Sequence, residues 1–208
     1  LIIKISRNYF ISILRFLHFY FLKKRDTEQY KILCKYIPDI NTVNRNIISS
    51  EQSDYIWVLW FQGEENAPKF VQKCISRIKR FNSTKRVVIV TKDNINNFIE
   101  IAPQIRDKFK KRKIPYAQFS DYIRVALLEK YGGTWIDSTV LLTGKIPDEI
   151  FKQDFFVFKN TLWYATPNVP SEKLFTSFVD QDYLFGSNWF INAKAGNIII
   201  QLIKRALE

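Results

Sequence analysis

With 208 residues, 47% of them apolar and 16% aromatic, the chain can bury one α/β core plus an appendage, and wholesale disorder is excluded. Lysine and arginine total 32 against 20 acids, and this net charge of +12 favours an anionic partner: phosphate groups, an acidic membrane surface or nucleic acid. The one histidine, His18, excludes a His-based triad or a His-rich zinc site within these residues, so acid–base or metal chemistry falls to carboxylates.

Residues 1–25 are rich in Ile, Leu, Phe and Tyr but are interrupted by Lys4, Arg7 and Arg15. The uncharged runs 8–14 and 16–22 fall short of the ~20 residues a spanning helix needs. No small-residue cleavage site follows, so a signal peptide is not expected. At about 100° per residue, Lys4, Arg7, Arg15, His18 and Arg25 share one arc of a helix. Such a helix can lie on an acidic membrane, where Lys23, Lys24 and Arg25 each add ~1 kcal/mol. It can equally dock on the protein's own core with a solvated basic stripe. Residues 26–53 turn polar, with Pro38 and an Asn/Ser-rich run, which divides the chain into an N-terminal segment and linker (1–53) and a main domain (54–208). The chain starts at Leu1 without any Met and ends at Glu208 in a helical pattern, so both ends read as continuing in a longer protein. Cys34 and Cys74 lack metal-ligand spacing and read as ordinary thiols of a reducing compartment.

Beyond the boundary the pattern changes. Residues 55–61 form a short apolar run ending at Gln62-Gly63, the mark of a buried strand and its loop. Pro68 opens a helix to about Phe81. Residues 86–91 are a second, β-branched strand, followed by short helical stretches at 95–99 and 105–113. This alternation predicts an α/β fold with a largely parallel sheet, whose ligands sit beyond the carboxyl ends of the strands.

Residues 117–131 read as the clearest helix, stopped by Gly132. Asp121 and Arg124, three apart, project from one face near its start; by themselves they read as a surface ion pair. Gly132-Gly133 permits a tight reversal, and 134–136 resumes extended structure. Asp137 follows at the strand's end beside Ser138 and Thr139. A carboxylate there can hold a divalent cation or simply cap a turn.

Taken together, residues 55–68, Ser120-Asp121-x-x-Arg124 and Gly132-Gly133-x-Trp135-x-Asp137 resemble the capsular polysaccharide synthesis glycosyltransferase family. More distantly they resemble family 32 glycosyltransferases and the clostridial glucosylating toxins. The resemblance covers most of residues 54–208. It implies a GT-A fold: a Rossmann-like, nucleotide-sugar-binding sandwich with a mixed, mostly parallel sheet, here preceded by N-terminal helices. It also implies a nucleotide-sugar donor, usually of uridine, a Mn²⁺ or Mg²⁺ cofactor, and transfer with retention. Asp137 matches the first Asp of the family's Asp-x-Asp metal motif, and Thr139 stands where the wider superfamily has the second. Asp121 and Arg124 match the pair that contacts donor sugar and diphosphate. Trp57, Trp60, Gln62 and Gly63 match the first-strand loop near the nucleotide, Trp57 reading also, and more ordinarily, as core packing, with Ser120 and Ser138 completing the donor side. The catalytic set so implied is Asp121, Arg124 and Asp137, with Asp137 and Thr139 as metal ligands.

In the distal part, 154–159 and 162–165 read as strands and 195–208 as a helix. Residues 186–193 resemble the late loop and strand that close over donor or acceptor, which makes Asn188 and Trp189 acceptor-side candidates. The expected partners are a nucleotide sugar, a glycan or lipid-linked glycan acceptor and an anionic membrane, with no nucleic acid. The expected location is cytoplasmic, on the inner face of the cell membrane. Two other readings compete. One is a non-catalytic basic module with a degenerate GT-A fold that binds membrane or nucleic acid; the other is a toxin-like transferase acting on protein.

Overall fold

An uncharged pentapeptide, YIWVL, opens the sheet as β1 (Tyr55–Leu59), buried along nearly its whole length. The computed structural model describes residues 53–158 and 187–208, together with Glu28 and Lys31. The chain divides into two compact units, Leu1–Val43 and Asn44–Glu208, and the sheet belongs to the second. After β1 come a 3₁₀ turn (Glu64–Asn66), α1 (Lys69–Phe81), β2 (Arg86–Val90), a 3₁₀ turn (Ile95–Asn97), α2 (Pro103–Lys110) and α3 (Tyr116–Tyr131). Then follow β3 (Gly133–Ile136), α4 (Asp148–Phe151), β4 (Phe155–Val157), β5 (Phe190–Ala193) and α5 (Ile198–Leu207).

The five strands lie in the order β2-β1-β3-β5-β4. β2 and β3 flank β1 in parallel, whereas β5 runs against both β3 and β4. The expected α/β fold with a mixed, mostly parallel sheet is therefore present, and it is compatible with the GT-A type. Strand alternation sorts the core into two halves. Trp57 and Leu59 face α3 through Phe119, Ile123 and Leu127. Ile56 and Val58 face α1 through Val71, Ile75 and Ile78. Cys74 is a free, buried thiol on α1, and desolvation raises its pKa; Cys34 lies outside the described residues.

Local chemistry explains where element ends depart from the sequence expectation. The stretch expected as a helix at 95–99 is a single 3₁₀ turn, because Asn94 accepts from the Thr91 N–H at 2.8 Å and donates to the Ile89 carbonyl at 2.9 Å. Such side-chain bonds compete with helix propagation. α2 stops at Lys110 rather than 113, since Arg112 adopts a positive φ of 54° and Lys113 N–H returns to the Lys108 carbonyl at 2.8 Å. Glycine usually takes that position. α5 starts three residues later than expected, at Ile198, because Asn197 caps it by accepting from Ile199 and Ile200 N–H. The strand expected at 154–159 is Phe155–Val157; the one expected at 162–165 lies outside the described residues, as does the amphipathic segment 1–25. Among the described residues no helix is long and apolar enough to cross a membrane.

The reversed strand matters most for the site. Because β5 is antiparallel to β3, its first residue, Phe190, pairs with Ile136 at the carboxyl end of β3. The segment before β5 is thereby delivered to the same edge as the segment after β3: Asp137 N–H donates to the Trp189 carbonyl at 2.9 Å.

Candidate active site

A cleft of about 460 Å³ opens at this carboxyl edge, between the loop after β1, the start of α3 and the turn after β3. It gathers Trp60, Gln62, Ser120, Asp121, Arg124, Asp137, Ser138, Thr139 and Asn188, all singled out from sequence. Two helical turns and a strand separate Arg124 from Asp137 in the chain, yet the guanidinium joins both carboxylates. Its Nη1 donates to Asp121 Oδ1 at 2.8 Å and its Nη2 to Asp137 Oδ1 at 3.2 Å. The arginine side chain is only 6% exposed, while Asp121 and Asp137 are 38% and 33% exposed. The cation is thus the buried partner and the two anions face the cleft.

Trp135 completes the arrangement. Residues two apart on a strand share a face, so Trp135 and Asp137 point the same way. The Trp135 indole N–H donates to Asp137 Oδ1 at 2.7 Å, and the Arg124 guanidinium lies 5.0 Å from its ring centroid. Asn188 reaches Asp121 Oδ1 at 3.4 Å from the other side. Two N–H groups of this wall, Trp60 Nε1 and Arg124 Nε, are buried without a partner among the described residues. Orphaned donors of this kind call for an acceptor that arrives with a ligand or a side-chain shift.

Three residues from the sequence set stand apart from the cleft. Trp57, expected at the donor, is fully buried: its indole N–H is spent on the Gly132 carbonyl at 2.9 Å. Its ring is enclosed by Tyr55 at 4.6 Å, Phe98 at 5.4 Å and Tyr131 at 5.5 Å, so no face remains for a base. It is a core residue, because mid-strand positions of a sheet covered on both sides cannot reach the strand's end. Gly63 does not line the cleft. Trp189 contributes its backbone carbonyl to Asp137, while its ring stacks on Phe158 at 4.9 Å. Conversely, Phe61, Tyr116 and Trp135 line the cleft without having been assigned to it from sequence.

A cation fits here only in company. Among the described residues no group of three His, Cys, Asp or Glu side chains could hold a metal ion. Asp137 Oδ1 already accepts two hydrogen bonds, which leaves Oδ2, with the exposed Thr139 hydroxyl nearby in sequence. Two protein oxygens are fewer than Mg²⁺ takes, so an ion here would draw its other ligands from substrate phosphates and water.

The ion triad also makes a thermodynamic prediction. Replacing both Asp121 and Asp137 by Asn leaves a buried guanidinium without a counter-charge, which costs about 3 kcal/mol or more. Urea denaturation of the double variant checks this, and a loss well under 1 kcal/mol would show that Arg124 is compensated elsewhere.

Comparison with known proteins gives this geometry a family. The chain is 26% identical over 149 residues to an uncharacterized glycosyltransferase of Acanthamoeba polyphaga mimivirus, covering 67% of this chain and 57% of that protein. It is 27% identical over 166 residues to glycosyltransferase afumC of Aspergillus fumigatus (74% and 39%), and 23% over 118 residues to O-glycosyltransferase PaGT of Phomopsis amygdali (52% and 29%). The matched stretch thus spans under two thirds of each relative's length. Residues 5–208 match the family described as capsular polysaccharide synthesis protein, and with nearly its whole length in that match the chain belongs to this family.

Proposed function

We propose that this chain carries the catalytic site of a glycosyltransferase that moves a sugar from a nucleotide-sugar donor, of uridine type, to a glycan or lipid-linked glycan in surface polysaccharide synthesis. The observation that carries the reading is the convergence of Asp121, Arg124 and Asp137 at one cleft on the carboxyl edge of the sheet. The named glycosyltransferases among its relatives support it.

Chemistry at such a cleft is mostly electrostatic. As the bond between the anomeric carbon and the donor's phosphate oxygen breaks, negative charge gathers on the departing diphosphate. A guanidinium, planar and always charged, suits phosphate oxygens in a bidentate grip. Arg124 is held ready for this by two carboxylates, either of which it can exchange for a phosphate oxygen. Asp121 then accepts from sugar hydroxyls. A Mn²⁺ or Mg²⁺ ion held by Asp137 and Thr139 would add a second positive charge against the leaving group. Trp60 and Gln62 border the cleft where the nucleoside would lie. Transfer with retention requires the acceptor hydroxyl to bond the anomeric carbon on the side the diphosphate leaves, its proton passing to the departing phosphate oxygen.

The reading extends to a peripheral location on the inner face of the membrane. A thermal-shift screen of UDP-, GDP- and CMP-sugars, with and without Mn²⁺, tests the donor. A ligand at a hundred times its Kd stabilises the native state by ~2.7 kcal/mol, a rise of roughly 5–10 °C for a domain of this size. If no nucleotide sugar moves the midpoint under either condition, the donor assignment fails.

A further inference from the structure

The link between α2 and α3 carries a charge density that the cleft does not use. Between Arg106 and Lys113 stand six cations and one acid, Asp107. Lys111 takes Asp107 at 2.7 Å, so Lys108, Lys110, Arg112 and Lys113 have no carboxylate of their own among the described residues. All four are exposed. The helix dipole accounts for Lys108 and Lys110 in the last turn of α2. It does not account for Arg112, which occupies the left-handed position (φ 54°) that glycine ordinarily fills. Three residues past the basic turn, Tyr116 is 64% exposed in the first turn of α3.

We propose that this turn, residues 106–116, is a docking surface for the anionic headgroups of a phospholipid membrane. Clustered cations gain from a negatively charged leaflet, and an exposed tyrosine suits the boundary between headgroup and acyl chain. The position adds a reason. Arg106, Lys110 and Tyr116 also line a cavity of about 820 Å³ beside the cleft, which shares Phe61, Gln62 and Tyr116 with it. A membrane seated on the turn brings the cleft alongside the headgroups, where a lipid-borne acceptor would be presented. Nucleic acid fits less well. It wants a basic track that follows successive phosphates, whereas these cations fall within one short stretch, residues 106–113.

The proposal is separate from the choice of donor, and its test reads binding alone. The full chain is sedimented with vesicles of phosphatidylserine and phosphatidylcholine, and with phosphatidylcholine alone. Binding is expected only with the anionic lipid and weakens steeply with salt. The variant Lys108→Gln/Arg112→Asn/Lys113→Gln, with Asn chosen because it tolerates positive φ, is expected to lower the partition coefficient on the order of 100-fold. Hydrogen exchange on the unaltered chain provides the second measurement, and peptides covering 106–116 gain protection when anionic vesicles are added. Wild-type partitioning by the triple variant with no protection of 106–116 overturns the proposal. So does complete loss of binding in Lys23→Gln/Lys24→Gln/Arg25→Gln while the triple variant binds normally. Tighter binding to duplex DNA than to vesicles at the same salt, lost in the triple variant, would reassign the turn to nucleic acid.

Discussion

Asp137→Asn is expected to lower kcat for sugar transfer, or for donor hydrolysis where water is the acceptor, by about 10²–10³-fold. The substitution keeps the side chain's shape and an oxygen that can accept from the Trp135 indole, now at 2.7 Å. Arg124 retains Asp121 as a charged partner at 2.8 Å. What disappears is one negative charge at the mouth of the cleft, together with the oxygen that would hold a divalent ion. Since the structural bonds survive, the melting midpoint should shift by only a few degrees. Steady-state kinetics with the donor found by the thermal screen, set beside the variant's far-UV circular dichroism, gives the answer. Turnover within threefold of wild type, with the fold intact, means that Asp137 is a turn residue and the catalytic assignment is wrong.

Much of this arrangement was legible because it depends on periodicity. Asp121 and Arg124 are i and i+3 on a helix, so a common face follows from geometry alone. The double glycine marks where α3 must give way to β3, and the strand's end places Asp137 at the sheet edge. The burial of Arg124 was not legible. An i,i+3 pair near a helix start has the look of solvent-exposed decoration, yet the guanidinium lies 5.0 Å from the Trp135 ring and its side chain is only 6% exposed. That contact could have been anticipated from the i,i+2 rule on β3, which turns Trp135 and Asp137 to one side. Trp57 is the complementary case. The resemblance sets it beside the β1 loop and the donor, whereas its place in the middle of a doubly covered strand favours the core, and the side chain is fully buried. The cavity under Lys92, Arg106 and Lys110 was invisible for another reason. Three chain segments build it, and no local pattern announces their meeting.

The glycine pair carries the second large effect. Gly133→Ala is expected to cost roughly 3 kcal/mol or more, a sizeable part of a domain's total stability. Gly133 has φ 96°, a conformation that side chains rarely adopt. A Cβ there would lie far inside van der Waals contact with the Tyr55 carbonyl oxygen, with Tyr55 Cβ at 3.1 Å and Ser53 Oγ at 3.2 Å. Backbone cannot yield as a flexible side chain can, so β3 must move away from β1. That motion strains the Trp57 N–H bond to the Gly132 carbonyl and draws Asp137, four residues on, away from Arg124. The melting midpoint should drop by about 10 °C, and activity should fall even at temperatures where the variant remains folded. Gly144→Ala is the matched control, because a Cβ at that position meets nothing within 4 Å; it should stay within ~0.5 kcal/mol of wild type. Equal stability of the two variants would mean that β3 accommodates the methyl without leaving β1. The double glycine would then be only a helix stop, and the registration of Asp137 against Arg124 would need another cause.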